Sequence, residues 1–269
     1  MMKFLLGILC IGFCVGFVAC SNGSESVSDE EKSVVSTNDF DSSEETGDAY
    51  NFTTSTEDIL AVVSKLKNGE TLKIEGKMTL DDVATLTNAI RTIDEDEILI
   101  DIDMKSVTGL VYVDFGHGFY GCKALHSIKL PPSLLSISDY AFGDCRNLVS
   151  VSGDNIQYIN GLHGCTSLVH FTVPKRVTNI DNYSFQGCTN LESLTIGKKL
   201  ERFGYCVLGD SPNLSVINYD GTIEDFSKII LDDFQTDWCT RVVLNCSDGK
   251  YSIFSWGHNK TFSARRIDE

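Results

Sequence analysis

A four-residue phrase recurs at nearly constant spacing through the middle of the chain. Phe119-Tyr120-Gly121-Cys122, Phe142-Gly143-Asp144-Cys145, Leu162-His163-Gly164-Cys165, Phe185-Gln186-Gly187-Cys188 and Leu208-Gly209-Asp210-Ser211 begin 23, 20, 23 and 23 residues apart. A period of this size marks a repeat architecture, in which no unit can bury its apolar side chains without its neighbours. Three residues after each Cys or Ser stands a leucine, and three beyond it Ile128, Val151, Phe171, Leu194 or Ile217. Leu130, Val173, Ile196 and Tyr219 follow two positions later. Gly153 breaks that series in the second unit, which is also the one shortened by three residues. A second apolar cluster ends at Ile137, Ile159, Ile180 and Phe203. Stacked units place equivalent strands side by side at about 4.8 Å, as a parallel sheet over continuous internal columns.

The pattern Phe-x-x-Cys-x-x-Leu-x-x-Ile-x-Leu-Pro, clearest in Phe119–Pro131, resembles the leucine-rich repeats of the bacterial surface-antigen family called BspA-like. The spacing falls inside the window of about 20–29 residues for leucine-rich repeats. The resemblance covers Phe119–Ser247, including the run Tyr219–Phe226 and the later Cys246-Ser247-Asp248-Gly249. It implies an exported protein, and several relatives act as adhesins toward host proteins or other bacteria. The expected fold is a short leucine-rich-repeat solenoid of α+β character, with a parallel sheet and a cap at each end.

Both flanks supply caps, which an open sheet edge and an uncovered core require. Thr56-Glu57-Asp58 precedes Ile59, Leu60, Val62, Val63 and Leu66 at helical spacing, and Leu72–Gly76 alternates like a strand. Asp81-Asp82-Val83 opens a second helix through Ile93, and Ile98–Met104 reads as a second strand. Beyond the repeats, Thr222–Leu231 reads as a helix, and Val242–Asn245 pairs with Tyr251–Phe254 across the turn signal Asp248-Gly249. The division expected is a signal peptide (1–19), an acidic stalk (20–55), an N-terminal cap (56–108), repeats (109–220) and a C-terminal cap (221–269).

Met1–Ala19 carries one cation, Lys3, then an apolar run ending in Phe17-Val18-Ala19-Cys20. The run is shorter than the roughly 20 residues of a spanning helix and has signal-peptide anatomy. Phe17 at −3 suits ordinary cleavage poorly. The last four residues resemble the bacterial lipoprotein signal, which implies a lipid on Cys20. Ser21 in the next position, with no Asp there, resembles lipoproteins released to an outer membrane. Ser21–Ser55 holds nine acidic residues against Lys32 alone. So polar a segment cannot offset its chain entropy by burial, and it reads as a disordered spacer. With a net charge of −16 the chain would be repelled by a phosphate backbone, so nucleic acid is not an expected partner.

Cys122, Cys145, Cys165 and Cys188 recur with the period of the leucines, which makes them a column of small buried groups rather than disulfides or metal ligands. Cys206 reads as further filling, while Cys239 and Cys246 stay open between a bridge and free thiols. The five histidines lack a nucleophile or carboxylate at any motif spacing, and no GxSxG, HExxH or phosphate loop is present. No catalytic residue, metal or cofactor is expected, and Asp101 and Asp103 read as solvated. Since strand residues alternate, Ser127 and Lys129, Ser150 and Ser152, His170 and Thr172, Ser193 and Thr195, and Val216 and Asn218 face outward as one polar strip. Lys129, His170, Thr172, Thr195 and Asn218 are the candidate ligand-binding residues. The leading function is a lipid-anchored surface module that binds a host or bacterial protein. The alternatives are a periplasm-facing structural lipoprotein and, behind it, an envelope hydrolase.

Overall fold

Each repeat closes one coil of a solenoid by contributing a strand to a front face and a shorter strand to the back. The computed structural model describes residues 50–52, 56–114, 116, 118–232, 242–255 and 262–267, all within the unit Ser42–Glu269. The expected signal peptide, Cys20, most of the acidic segment and Cys239 lie outside the described residues.

The N-terminal cap runs β1 (Tyr50–Phe52), α1 (Thr56–Val63), β2 (Thr71–Lys77), α2 (Leu80–Ile90) and β3 (Ile100–Thr108). Thr79 caps α2 reciprocally with Asp82, each side chain satisfying the other's backbone N–H. Val83, Leu86, Ala89 and Ile90 form its buried stripe. As the alternation predicts, β2 and β3 extend the solenoid sheet: β2 pairs in parallel with β3, and β3 with β5 (Leu125–Lys129). One boundary moves. Tyr50–Phe52, placed by composition in the acidic stalk, pair with Leu72–Ile74.

Between the caps, front strands β5, β7 (Ser150–Ser152), β9 (His170–Thr172), β11 (Ser193–Ile196) and β13 (Val216–Tyr219) alternate with back strands. The back strands are β4 (Tyr112–Val113), β6 (Ser136–Ile137), β8 (Tyr158–Ile159), β10 (Asn179–Ile180) and β12 (Arg202–Phe203). After β13 come α3 (Ile223–Phe226), β14 (Ile230–Leu231), β15 (Val243–Cys246), β16 (Gly249–Ser255) and β17 (Ser263–Arg266). The expected helix over Thr222–Leu231 is thus a single turn. Its second half joins the back sheet, Leu231 pairing with Phe203, because Ile229 and Leu231 complete the buried positions of another coil. The hairpin forms as expected between β15 and β16, and β17 adds a third strand.

The recurring phrase has a backbone reason as well as an apolar one. Its third residue, Gly121, Asp144, Gly164, Gly187 or Asp210, sits in the left-handed region at φ between 55° and 71°. Glycine enters that region without a Cβ penalty, and Asp is among the few other residues that tolerate it. The fourth residue is buried and does more than fill space. The Cys145, Cys165 and Cys188 thiols donate to the carbonyls of Phe119 (2.9 Å), Phe142 (3.2 Å) and Leu162 (3.2 Å), each the first residue of the preceding phrase. Ser211 makes the same bond to Phe185 at 3.0 Å, which explains a hydroxyl in the cysteine slot. All four column cysteines are free and buried, as is Cys206, and Cys246 is free and half-buried. Burial pushes the Cys122 and Cys188 thiols up to about 12, so they stay protonated donors.

Candidate functional site

The front face is not one strip. It divides into a sheet ordered β1-β2-β3-β5-β7 and another ordered β17-β16-β15-β13-β11-β9, while the back sheet runs unbroken from β4 to β14. The expected five-strand strip is therefore both longer, through the caps, and split where the short repeat lies. The physical cause is chain length. From the buried front residue to the last back residue takes nine steps in Ile128–Ile137 and Phe171–Ile180 but eight in Val151–Ile159. Two further residues are missing between Ile159 and Leu162, relative to Ile137 and Phe142. The coil holds its back-sheet register, Tyr158 beside Asn179 and Ile159 beside Ile180, and gives up the front pairing. Gly153 fits this shorter path, because a Cβ there would stand 3.1 Å from Ile156 and 3.2 Å from Leu130.

Between β7 and β9 the split leaves a cleft of about 460 Å³, within the size range of ligand sites. Buried Val151, Phe171 and Val173 floor it; exposed Ser150, Ser152, His170 and Thr172 stand on its sides, and exposed Asp154 and Lys175 at its end. It is hinged at one end, where Ser167 N–H still donates to the Arg146 carbonyl at 3.0 Å.

The five candidates fall into different settings. His170 and Thr172 line the cleft, and His170 Nδ1 lies 2.9 Å from Ser193 Oγ. Thr195 and Asn218 are half-buried on the other sheet in a side-chain chain: Asn245 donates to Asn218 (2.8 Å), which contacts Thr195 Oγ1 at 3.4 Å. Lys129 lies across the split, 3.6 Å from Asp103. The two acids read as solvated belong to this face: Asp103 faces Lys129, and Asp101 accepts from Ser127 and lies 3.1 Å from His126 Nδ1. Asp154 and Lys175 were not singled out from sequence; the shortened repeat was the available signal. Among the described residues no group of three or more His, Cys, Asp or Glu side chains is placed to hold a metal, and no helix is long and apolar enough to cross a membrane.

A second cluster sits beside the recurring phrase. The rings of Tyr120 and His163, two coils apart, stack at 6.0 Å, while Tyr140 meets His163 edge-on at 4.3 Å. Gly143, in the coil between, permits this, since a Cβ there would fall 1.8 Å from the imidazole. Burial lowers the His163 pKa below its usual value, partly opposed by the Asp144 carboxylate, and Nδ1 is buried without a partner. A histidine depressed in the folded state binds fewer protons than in the unfolded chain. Its contribution is therefore present above the unfolded value of about 6.5 and is lost as pH falls below it. Thermal midpoints should fall more between pH 7.5 and 5.5 in the native protein than in His163→Gln. Equal falls would remove His163 as the cause.

A parallel-sheet solenoid with one inward cluster per strand and few helices defines a leucine-rich-repeat protein. Residues 116–235 match the family model of the BspA type leucine rich repeat region in six copies, one more than the five phrases legible in the sequence. Among solved structures the chain is similar to a leucine rich cell surface protein from Faecalibacterium prausnitzii A2-165 (25% identity, TM-score 0.45, covering 48% of this chain and 34% of that one). It is also similar to the T. pallidum leucine rich repeat protein TpLRR (22%, TM-score 0.46, 55% and 69%) and to one from Bacteroides ovatus (21%, 0.38, 52% and 37%). The chain thus spans about a third of the length of the F. prausnitzii protein. No curated protein matches the chain.

Proposed function

We propose that this is a lipid-anchored bacterial surface protein that binds a protein partner through the front face around the β7–β9 cleft and serves as an adhesion module. The carrying observation is the contrast along that face. Ser150, Ser152, His170 and Thr172 stand exposed around an open cleft, whereas Thr195 and Asn218 are half-buried and tied to neighbours. Solenoids present such side chains on rigid strands at fixed spacing, so little entropy is lost when a partner engages them. A face this small binds weakly alone, and many copies held on one membrane by a lipid on Cys20 raise the effective affinity.

His170→Glu combined with Thr172→Glu is expected to reduce attachment of protein-coated beads to their target cells at least about tenfold. The thermal midpoint should barely move, since exposed sites change stability by only about 0.5 kcal/mol. Ser42→Glu with Ser43→Glu, in the acidic segment, is the charge-matched control. Equal loss in both pairs, or none in either, rules the cleft out as the binding surface. Protease shaving of intact cells reads the location: digestion supports a surface adhesin, and survival until lysis supports the periplasm-facing structural lipoprotein. Wild-type protein should enter the detergent phase of a phase separation, and recovery in the aqueous phase would sink lipidation at Cys20.

A further inference from the structure

The cleft is bounded by two strand edges whose hydrogen-bonding groups have no strand to meet. Among the described residues no backbone hydrogen bond joins β7 to β9; the two strands end separate sheets. Alternate residues of a strand turn their N–H and C=O toward opposite edges. Leu130 N–H donates to the Ser152 carbonyl at 2.7 Å, so Ser152 serves the β5 side and Val151 turns its pair of groups into the cleft. On the other wall, Val173 N–H donates to the Thr195 carbonyl at 2.9 Å, and the Val169 carbonyl accepts from Ser193 at 3.3 Å. Val169, Phe171 and Val173 therefore serve β11, leaving His170 and Thr172 to present N–H and C=O groups to the cleft.

The geometry points to an extended peptide segment of a partner protein as the occupant, added as a strand along the β9 edge. β9 is the better template because it offers two residues with inward main-chain groups where β7 offers one. Main-chain pairing supplies the affinity in this mode, and alternate side chains supply the selectivity. The floor of Val151, Phe171 and Val173 is apolar, so residues pointing inward are aliphatic. Those pointing outward meet Ser150, Ser152 and Thr172 and are polar. The wedge is hinged at Arg146–Ser167 and opens toward Gly153 and Lys175, so the segment enters from that open end.

This rests on the reading that the front face binds protein, and the test separates the two. The probe is the acetylated, amidated peptide of residues 191–197, Leu-Glu-Ser-Leu-Thr-Ile-Gly, the strand this solenoid itself lays beside β9. Its N-methylated counterpart, methylated at alternate amides, keeps every side chain and loses the donors. With the whole folded protein, amide hydrogen exchange at His170 and Thr172 should be fast when free and slowed at least about tenfold by the peptide at millimolar concentration. The N-methylated peptide should leave exchange unchanged. Thr172→Pro removes the inward N–H at a strand edge, where proline is tolerated, and should weaken binding at least about fivefold, roughly one hydrogen bond. Thr172→Val, which restores the inward N–H and lacks only the hydroxyl, should recover most of the binding that Thr172→Pro loses. Exchange at His170 and Thr172 as slow as at Leu194 in the free protein would mean the edges are already closed. That result, absence of peptide binding, or equal binding of the methylated peptide overturns strand addition. A dimer abolished by Thr172→Pro would overturn it too, assigning the cleft to a second copy. If Thr172→Pro leaves cell attachment intact while the double Glu variant loses it, the face binds through side chains: strand addition fails and the surface-binding reading stands.

Discussion

Phe142→Ala is expected to cost about 3–5 kcal/mol, the range for removing a buried aromatic side chain. Phe142 is fully buried and stacks on Phe119 with centroids 5.4 Å apart and planes 8° from parallel. Its carbonyl also receives the Cys165 thiol of the following coil. Stability in a solenoid is close to a sum of unit terms and nearest-neighbour interfaces, and one phenylalanine at this position serves the interfaces on both sides. The surroundings cannot collapse into the space, because both neighbouring coils are held by the back-sheet ladder. Urea unfolding at fixed protein concentration reads the loss as a lower midpoint. A loss below about 1 kcal/mol would mean that the ring column adds little beyond the leucines.

The solenoid was legible because its signal is redundant: the same inward positions recur in every coil, so one anomaly such as Gly153 does not hide the period. The caps were legible for a related reason, since helical spacing over Ile59–Leu66 and Val83–Ile93 is long enough to show periodicity. Shorter elements were not. Ile230–Leu231 is a two-residue strand, and nothing within two residues separates the end of a helix from a back-sheet rung. Tyr50–Phe52 pairs with a strand some twenty residues away, a long-range bond that local composition does not report. Asp101 and Asp103 alternate with apolar residues as any solvated strand does; their partners Ser127 and Lys129 come from the next coil. The cleft lay in between. The shortened repeat was visible in the spacing, but which face would part depends on where the missing residues fall and which ladder holds more firmly. With the back sheet continuous, the deficit appears at the front, beside His170 and Thr172.

A substitution series at Cys165 separates what the cysteine column contributes as volume from what it contributes as a donor. Cys165 is fully buried, and its thiol spans one coil to the Phe142 carbonyl at 3.2 Å. Cys165→Ser keeps the donor and loses a little volume, and the chain already tolerates that chemistry at Ser211 with a 3.0 Å bond to Phe185. It should cost no more than about 1 kcal/mol. Cys165→Ala leaves the Phe142 carbonyl unanswered in the interior, which costs about 1–3 kcal/mol. Cys165→Asp is the severe case. Burial already holds the neighbouring Cys145 and Cys188 thiols well above their usual range, Cys188 up to about 12, so this column rejects negative charge. An unpaired carboxylate there costs several kcal/mol unless it takes up a proton. Its folded pKa would then lie above the unfolded value of about 3.9, so stability is lost as pH rises through the folded value. Near neutral pH, Cys165→Asp should therefore give no cooperative unfolding transition, while Cys165→Ser unfolds close to wild type. The native thiols should resist alkylation when folded and react in denaturant without prior reduction. If Ser and Ala at this position are equally destabilising, the donor between coils contributes nothing, and the column is held by packing alone.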